Sequence, residues 1–344
     1  MIEIKGKSNI SVKVILDSIS EAGQRITTFE IEVPRIVWSE IMTHRMFSRN
    51  AASSRAIPFK KMLDQLNGKP VRFGQANSGM QDRNEDYKAS IDGRYEEYET
   101  GIGLHSSPAV LTPEQAWEGA RQDAIFWSNA FHQAGYHKQV VNRITEPYQI
   151  IKGVITATEF ANFSWLRNDT AADPTLQELA RCMLEGFNAS KPKVLMEDNW
   201  HLPFVETRYI GLVSELQYIV EGVPVSIEDA IKVSSARCAA VSFRNEDYGM
   251  EKCLEVYARL VSDERKHSSA MEHQAKPINR TEYNYLSREY PLLDCYQPQI
   301  NHVDSFHTWE PGISHVDRQG NFWSGNFKGW IQHRKLIPGE NHDS

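Results

Sequence analysis

Two segments near the N-terminus, SVKVIL and TTFEIEV, alternate in part between apolar and polar side chains and predict two β-strands. Most of the regular patterns that follow them have helical spacing instead. No G-x-G-x-x-G fingerprint follows a predicted strand, and strands and helices do not alternate regularly along the chain. We therefore predict an α+β fold rather than a regular series of β–α–β units.

Helix start and stop signals divide much of the remaining chain. A long helix is predicted after Thr112, its N-cap, with Pro113 at the first position and Gly135 at the end. Its recurring apolar residues predict a buried face made of Trp117, Ile125, Phe126 and Phe131. Shorter helices are predicted in PRIVWSEIMTHR, HKQVVNRITEP, PTLQELARCMLEGFNAS, SIEDAIKVSSARCAAVSF and GMEKCLEVYARLVSDE.

Two long segments lack such periodicity. Residues 60–112 are polar and rich in Asn, Gly, Asp and Glu, which predicts a long inserted loop or lid, or else a disordered surface insertion. Residues 275–344 contain few periodic runs and many Pro, Tyr, His and Gly residues, which predicts an irregular C-terminal extension.

The composition argues against several classes of function. A net charge of −7 does not favour broad binding to duplex nucleic acid, which requires a basic face. No apolar run approaches the roughly 20 residues that span a bilayer. The N-terminus also lacks the apolar core of a secretory signal, so we expect no membrane partner and a cytoplasmic location. The four cysteines are scattered and fit a reduced interior better than a disulfide framework or a zinc site.

The stretch THRMFSRNAASSR, residues 43–55, combines basic and small hydroxyl side chains directly after a predicted short helix. Arginines among serines suit an anion, because guanidinium binds phosphate through two parallel hydrogen bonds and short neighbours let the phosphate approach. The alternative is a solvated basic turn, which the helix dipole favours at that position.

Within this stretch, His44 and Arg45 are followed by seven residues, then Ser53, and then Arg55 two positions further on. This spacing resembles the Arg-His-Arg-x7-Ser signature of the flavin-dependent thymidylate synthases of the ThyX type, with Thr43 in place of the first arginine. Further along, NRITEP is similar to the family's Arg-x-x-x-Pro, and ANFSWLR is similar to its Asn-Phe-x-x-Leu-Arg.

Two later segments resemble the part of the family that usually comes first. ARCAAVSF, residues 236–243, is similar to the opening Ala-Arg-Val-Ser-Phe, and HSSAMEH, residues 267–273, is similar to His-x-Ser-x-x-Glu-His. The resemblance therefore implies a circularly permuted relative, a change that compact domains with neighbouring termini tolerate. It predicts that residues 236–273 pack beside TTFEIEV and bring His273 near the loop of residues 43–55.

The resemblance implies a single catalytic domain over residues 1–344, with a small and mainly antiparallel sheet, that binds FAD and forms a homotetramer. The implied reaction transfers a one-carbon unit from methylenetetrahydrofolate to C5 of dUMP and gives dTMP, with NADPH reducing the flavin. Arg167 is the implied catalytic residue, because it would polarise the pyrimidine ring. The implied substrate-binding residues are Glu40, Ser53, Arg55, Arg143 and Arg167. The implied FAD-binding residues are His44, Arg45, Asn50, Thr158, Asn162, Ser269 and His273.

The chain departs from the family pattern at several positions near the implied pocket. Glu40 stands where a glutamine often occurs, Ala51 replaces a common glutamate, and Ala171 replaces a histidine. A carboxylate accepts a hydrogen bond from an amino group, whereas a uracil carbonyl requires a donor. If Glu40 faces the base, dCMP becomes a credible substrate. The alternatives are therefore a related flavin-dependent C5-methylase or hydroxymethylase, and a nucleotide-binding relative without catalysis.

Other chemistries have weaker support in the residues. Ser53 could be a nucleophile, but no G-x-S-x-G elbow surrounds it. His267 and His273 suit a metal, yet no second ligand pair accompanies them, so we predict no metal. The clusters EDNWHLPFV and SGNFKGWIQHRK could stack on a flavin or pterin ring or bind an anion, and each could equally contain a tryptophan that anchors a loop on the core.

Overall fold

The computed structural model describes residues 2–77, 85–100, 103–210, 215–241, 248–262, 266–278 and 309–340. Of residues 94–100 and 103–109 only the backbone is described. The strands are β1 (Ile2–Lys5), β2 (Ser11–Ser20), β3 (Arg25–Pro34), β4 (Ser48–Ala51), β5 (Ile91–Thr100), β6 (Gly103–Leu111), β7 (Ile150–Ala157), β8 (Lys193–Leu195), β9 (Glu206–Ile210), β10 (Glu215–Val220), β11 (Val223–Val225), β12 (Ala275–Pro277), β13 (His315–Val316), β14 (Phe322–Ser324), β15 (Phe327–Lys328) and β16 (Trp330–Gln332). The α-helices are α1 (Trp38–Ile41), α2 (Phe59–Leu63), α3 (Pro113–Gln133), α4 (Lys138–Val141), α5 (Ala161–Arg167), α6 (Pro174–Ala189), α7 (Ile227–Ala240) and α8 (Met250–Leu260).

The central sheet has the strand order β1-β2-β3-β7-β4, in which every pair is antiparallel, and β8 adds a short parallel pair with β2. The predicted strands SVKVIL and TTFEIEV lie within β2 and β3. β3 and β7 form a continuous ladder, from the Thr27–Ala157 pair to the Pro34–Ile150 pair. Helices combined with a mainly antiparallel sheet confirm the α+β prediction.

One face of the sheet is apolar and is covered by α6. Phe29 and Ile31 of β3 lie with Val14 of β2 in the same core as Leu176 and Leu179 of α6. All five side chains are buried. Because neighbouring residues of a strand point to opposite faces, the residues between these apolar positions of β3 point away from α6.

The opposite face of the sheet carries polar side chains and is covered by a second layer. Thr28 of β3 and Thr156 of β7 are register partners, and their hydroxyl oxygens are 2.7 Å apart. The second layer contains α7, the β12–β16 pair and the segment around His201, which forms a β-bridge with Ala275. Its apolar side chains form a separate core around Trp330, which is fully buried. The sheet therefore lies between two layers of different character.

The segment 60–112, predicted as an irregular inserted loop or lid, contains regular structure. It includes the end of α2, and β5 and β6 form a two-stranded antiparallel ladder. The prediction of a loop without secondary structure is wrong for these residues. A ladder of backbone hydrogen bonds forms the hairpin, and its polar sequence lacks the apolar alternation that indicates a half-buried strand. Residues 78–84 lie outside the described residues.

The described parts of the C-terminal extension, residues 275–278 and 309–340, are also more regular than predicted. β12 pairs with β16, and β13, β14 and β15 form a three-stranded antiparallel sheet. Phe327 and Trp330 are fully buried in the second core, so these residues are part of the fold. Strands of two or three residues are too short to show periodicity. Residues 279–308 and 341–344 lie outside the described residues.

α3 begins as the sequence predicts. The side chain of Thr112 accepts from the backbone N–H of Gln115, whose own side chain accepts from the N–H of Thr112, which completes a capping box. Pro113 is the first helical residue, and Gly135 follows the helix with a positive φ of 86°.

The predicted buried face of α3 is wrong for Phe126 and Phe131, which are 63% and 37% exposed. Trp117 and Ile125, the other two predicted residues, are half-buried. Helical spacing produces an apolar stripe, but only a covering element buries it. Within the described residues, Ser128 is the fully buried residue of this helix.

The predictions about cysteines and membrane-spanning segments can be compared with the described residues. Cys182, Cys238 and Cys253 are free and buried, as expected for a reduced interior, whereas Cys295 lies outside the described residues. Burial raises the pKa of all three described thiols, which keeps them protonated. No helix in the described ranges combines the length and the apolar character of a bilayer-crossing segment.

Alanine substitutions at Phe29 and Phe126 distinguish the apolar face of the sheet from the exposed stripe of α3. Phe29→Ala should lower the free energy of unfolding by about 3–5 kcal/mol, because it opens a cavity in the core under α6. Phe126→Ala should change it by no more than about 0.5 kcal/mol, since its ring is largely exposed. Urea denaturation measures both values. A comparable loss in the two variants would contradict the orientation of α3.

Candidate functional site

His44 and Arg167 form the centre of the candidate site. His44 follows α1, and Arg167 is the last residue of α5, which comes directly after β7. Nε of Arg167 donates a hydrogen bond to Nε2 of His44 at 3.0 Å. The edge of the His44 ring also contacts the face of Phe163, with ring centroids 4.8 Å apart and planes at 89°. The accepting Nε2 requires that the His44 proton be on Nδ1.

The surroundings of His44 favour its neutral form. Partial burial lowers the pKa of His44, and the positive charges of Arg167 and Arg49 lower it further. Arg49 has a structural role in this loop, because its Nη1 donates to the carbonyl oxygens of Ile41, Met42 and His44 at 2.8–3.2 Å. At neutral pH the His44 ring therefore holds Arg167 in place without adding a charge.

Glu40 lies one helical turn before His44 and shares its electrostatic environment. Partial burial raises the pKa of Glu40, the charge of Asp173 raises it further, and the charge of Arg167 lowers it. Asp173 is fixed at the start of α6, where its Oδ1 accepts from the N–H groups of Thr175 and Leu176 at 2.8 and 3.0 Å. The positive charge of Arg167 therefore acts on the Glu40 carboxyl as well as on the His44 ring.

A second group of residues connects the segments that contain Arg55 and Arg143. Nδ2 of Asn142 donates to the carbonyl oxygens of Ser54 and Ile57, at 2.7 and 2.9 Å, on either side of Arg55. Arg143 is the next residue after Asn142 and borders a surface cleft of about 430 Å³ with Gln139, Val140 and Ile144. Arg55 and Arg143 are both exposed, as an anion site requires.

Ser54 and Glu146 strengthen the same connection. Oγ of Ser54 donates to Oε1 of Glu146 at 2.6 Å, and that carboxylate also pairs with Arg35, whose Nη2 is 3.3 Å from it. Burial lowers the pKa of Arg35, the Glu146 carboxylate opposes this shift, and the charge of Arg143 adds to it. Arg35 and Arg143 therefore lie in the same positive region.

The two groups lie towards opposite ends of β7. Ser48 of β4 pairs with Thr156 near the end of β7, next to the His44 loop, and Ala51 pairs with Gly153 as the chain continues towards Ser53. The eight residues of β7 span about 23 Å. Within one chain, the structure brings His44 to Arg167 and the Arg55 segment to the Arg143 segment, but it separates these two pairs.

The remaining predicted ligand-binding residues surround the β4–β7 edge. Asn50 belongs to β4, and Thr158 follows β7, where its Oγ1 accepts from the backbone N–H of Lys328 at 3.0 Å. Ser269 is exposed in a 3-10 turn, Ser268–Glu272, that packs against β4. Three further predicted residues are partly or fully exposed: Arg45, Ser53 and Asn162.

His273 lies where its proximity to the basic loop was predicted. Its Nδ1 is 2.8 Å from Oγ1 of Thr156, which is the register partner of Ser48 in β4. This confirms the expected closeness of His273 to residues 43–55, while the circular permutation stays a prediction. The His273 side chain is fully buried. Its Nε2 is buried as well and has no hydrogen-bond partner among the described residues.

Several predicted alternatives have a clear outcome. Trp200 and Trp330 are buried, so both tryptophans anchor their segments on the core. Nε2 of His44 bonds to Arg167 rather than to Ser53, which does not support a serine nucleophile activated by this histidine. In the described ranges, no three His, Cys, Asp or Glu side chains form a group that could hold a metal ion.

Three further features were not predicted from the sequence: Asn142, Arg35 and the residues that hydrogen-bond to Ser48. Asn142 had a usable signal, because it directly precedes Arg143 in the NRITEP motif. Nδ2 of Asn326 donates to Ser48 Oγ at 3.1 Å, and Nε2 of Gln332 donates to Oδ1 of Asn326 at 2.9 Å. Partners so distant in sequence leave no local pattern.

A wider groove of about 880 Å³ lies away from these residues, between the β9–β10–β11 sheet and residues 196–199. Its polar lining includes the acidic side chains of Glu21, Glu197 and Asp198. Such a lining repels a phosphate group. We therefore regard the His44–Arg167 region, and not this groove, as the candidate site.

No protein-family model matches this sequence, and no curated protein matches it significantly. Functional inference therefore depends on the residues and their geometry.

Replacement of Arg167 by methionine tests the electrostatics of the central pair. Arg167→Met should raise the pKa of His44 towards the ordinary value of about 6.5, because it removes a nearby positive charge. An NMR titration of the His44 ring protons against pH measures the shift. Arg181→Met is the matched control, since Arg181 pairs with Glu178 and Glu185 on the surface of α6. An unchanged or lower pKa in Arg167→Met would contradict the pair.

Proposed function

We propose that this chain is a flavin-dependent enzyme of the thymidylate synthase (ThyX) type, which transfers a one-carbon unit from methylenetetrahydrofolate to C5 of dUMP and gives dTMP. The observation that carries the proposal is the hydrogen bond between Arg167 and His44. These residues belong to two separate motif-like segments, residues 43–55 and 161–167, which have no reason to meet in an arbitrary chain.

Arg167 is the proposed catalytic residue. Its Nε is held by His44, whereas its Nη groups make no hydrogen bond within the described part of the chain. They can donate to a pyrimidine carbonyl and stabilise negative charge on the ring, as preorganised donors do at other reaction centres. Neutral His44 fixes the guanidinium without competing for the substrate.

Ser53, Arg55 and Arg143 are the proposed phosphate ligands. Asn142 holds the two arginine-bearing segments together, so both arginines are positioned before a ligand binds. Arginine suits a phosphate because its planar donors match two oxygens at once. The partly exposed Ser53 hydroxyl can add one further donor.

The residues around the β4–β7 edge fit a bound FAD. Arg45, Asn162 and Ser269 are exposed polar side chains, and the buried Nε2 of His273 has no partner among the described residues. Asn50, Thr158 and Nδ1 of His44 would complete the set. FAD, reduced by NADPH, would supply the electrons that convert the transferred methylene group to a methyl group.

The proposed assembly is a homotetramer with shared sites, as the family resemblance implies. The segment that contains Arg143 precedes β7, whereas Arg167 follows β7 at the end of α5. A nucleotide whose base contacts Arg167 of one chain would meet the phosphate ligands of another. The proposed circular permutation agrees with the packing of the turn before His273 against β4.

The purified full chain should show the visible absorption of a bound flavin and should form dTMP from dUMP, methylenetetrahydrofolate and NADPH. Arg167→Ala should lower turnover about 100-fold or more while flavin content stays the same, because its partner is the pyrimidine ring. Arg181→Ala, on the surface of α6, is the control and should keep full activity.

Two results would overturn this proposal. A colourless protein that takes up no added FAD would leave only a flavin-free nucleotide-binding protein as an explanation. Normal product formation by Arg167→Ala would remove this residue from the reaction.

A second candidate substrate is dCMP, with methylation or hydroxymethylation at C5. The observation in its favour is Glu40, whose carboxyl group is close enough to Arg167 for the two charges to influence each other. Cytosine presents an amino group that a carboxylate accepts, next to a carbonyl that a guanidinium binds. Uracil offers a carbonyl at the first of these positions and would require a donor there.

Glu40→Gln separates the two substrates, because the amide nitrogen donates where the carboxylate can only accept. If Glu40 contacts the base, the ratio of kcat/KM for dCMP to that for dUMP should fall roughly 10–100-fold, as expected for a hydrogen bond to a charged group. Steady-state kinetics with both nucleotides measure this ratio. Glu185→Gln, on the surface of α6, should leave it unchanged. An unchanged ratio in Glu40→Gln would show that Glu40 does not select the base.

A further inference from the structure

A chain of hydrogen bonds connects five side chains on the polar face of the central sheet. Oγ of Ser18 is 2.9 Å from Nδ1 of His201, whose Nε2 is 2.8 Å from Oγ1 of Thr28. That oxygen is 2.7 Å from Oγ1 of Thr156, which is in turn 2.8 Å from Nδ1 of His273. All five side chains are at most 1% exposed. Each of the three inner side chains can therefore hydrogen-bond only to its two neighbours in this series. Ser18 and His273 are its two ends.

The register of the sheet and of the second layer produces this arrangement. Thr28 and Thr156 are directly paired across β3 and β7. Ser18 lies on the same face of β2, two residues after the one that pairs with Thr28. His201 forms a β-bridge with Ala275, which places His273 two residues away on the facing strand. The four contacts are thus fixed by backbone pairing rather than by flexible side chains.

Both imidazoles in the chain are neutral at physiological pH. Burial, with a smaller contribution from the nearby His273, lowers the pKa of His201 to about 3. Burial alone lowers the pKa of His273 to about 3. A neutral imidazole carries one N–H and one acceptor nitrogen, and each hydroxyl has one proton to donate.

Two proton orders run in a single direction along these bonds. Any mixed order makes Thr28 or Thr156 accept from both neighbours and leaves that hydroxyl proton without a partner among the five side chains. If Ser18 donates to Nδ1 of His201, that ring carries its proton on Nε2 and donates it to Thr28. Thr28 then donates to Thr156, and Thr156 donates to Nδ1 of His273, so His273 also carries its proton on Nε2. In the reverse order every bond changes direction, and both rings carry the proton on Nδ1.

The two orders leave different groups without a partner. In the first order, every hydroxyl proton is used within the chain, and Nε2–H of His273 alone lacks a partner among the described residues. In the reverse order, Nε2 of His273 is an acceptor without a donor, and the Ser18 proton also loses its acceptor. Because buried polar groups without partners destabilise a fold, the first order is favoured.

We propose that these five side chains share one proton order, which holds His273 as the Nε2–H tautomer and makes it a buried hydrogen-bond donor for a ligand. The matching ligand atom is a carbonyl oxygen or an unprotonated ring nitrogen. Ser18, His201, Thr28 and Thr156 are positioning residues, since none of them needs to touch the ligand. The turn before His273 packs against β4, so the donor belongs to the β4 side of the sheet.

NMR of the full chain labelled with ¹⁵N-histidine, without any ligand, tests this proposal, because protonated and unprotonated ring nitrogens have well-separated shifts. At pH 7, both His201 and His273 should be unprotonated at Nδ1 and protonated at Nε2. His201→Gln and His273→Gln assign the two signals. The measurement does not require FAD or activity, so its outcome is independent of the proposed reaction.

Thr156→Val removes the hydroxyl that donates to His273, so Nδ1 of that ring loses the hydrogen bond that it accepts, and its ¹⁵N signal should move. Thr27→Val is the matched control, because Thr27 is on the other face of β3, where its hydroxyl donates to Asp17 at 2.9 Å. It should leave both tautomers unchanged. The proposal is overturned if wild-type His273 is the Nδ1–H form, if the two rings differ in tautomer, or if folded Thr156→Val keeps the wild-type signal. Should Thr156→Val fail to fold, the wild-type spectrum decides.

Discussion

The antiparallel pairing of β3 with β7 is the constraint on which the rest of the structure depends. On one face it buries Phe29 and Ile155 in the core with α6, and on the other it joins Thr28 to Thr156 below the second layer. The same pairing determines where the chain leaves the sheet. A shift of this register by one residue would exchange the apolar and polar faces and displace both arginine groups together.

Local sequence was sufficient for the elements whose signals lie within one turn or strand. The alternation in SVKVIL and TTFEIEV gave β2 and β3, and the Thr112 capping box gave the start of α3. Local sequence could not predict the exposure of Phe126, because that exposure depends on whether another element covers α3. β14 and β16 were missed for a related reason, since three residues contain too few alternations to be recognised.

For the candidate site, the sequence identified several side chains but not their partners. It singled out His44 and Arg167 separately, whereas their hydrogen bond joins residues 123 positions apart in the sequence. It marked Arg143 but not Asn142, whose amide connects two loops. It also suggested that His273 contacts a ligand without showing that this ring is fully buried and that its Nε2 has no partner among the described residues. The sequence therefore suggested candidate side chains and the closeness of His273 to residues 43–55, but not the hydrogen bonds that Arg167 and Asn142 make.

The short strand β4 gives the spacing between Arg45 and Ser53 a physical meaning. β4 pairs with β7 over four residues, so the chain enters near the His44 loop and leaves towards the Ser53 loop. Each residue advances the chain by about 3.3 Å, and each shift of one residue turns the side chains to the other face of the sheet. The seven intervening residues therefore determine both the distance between the two loops and the face of the sheet to which their side chains point. Removing one of them would leave both loops with the right amino acids at the wrong distance.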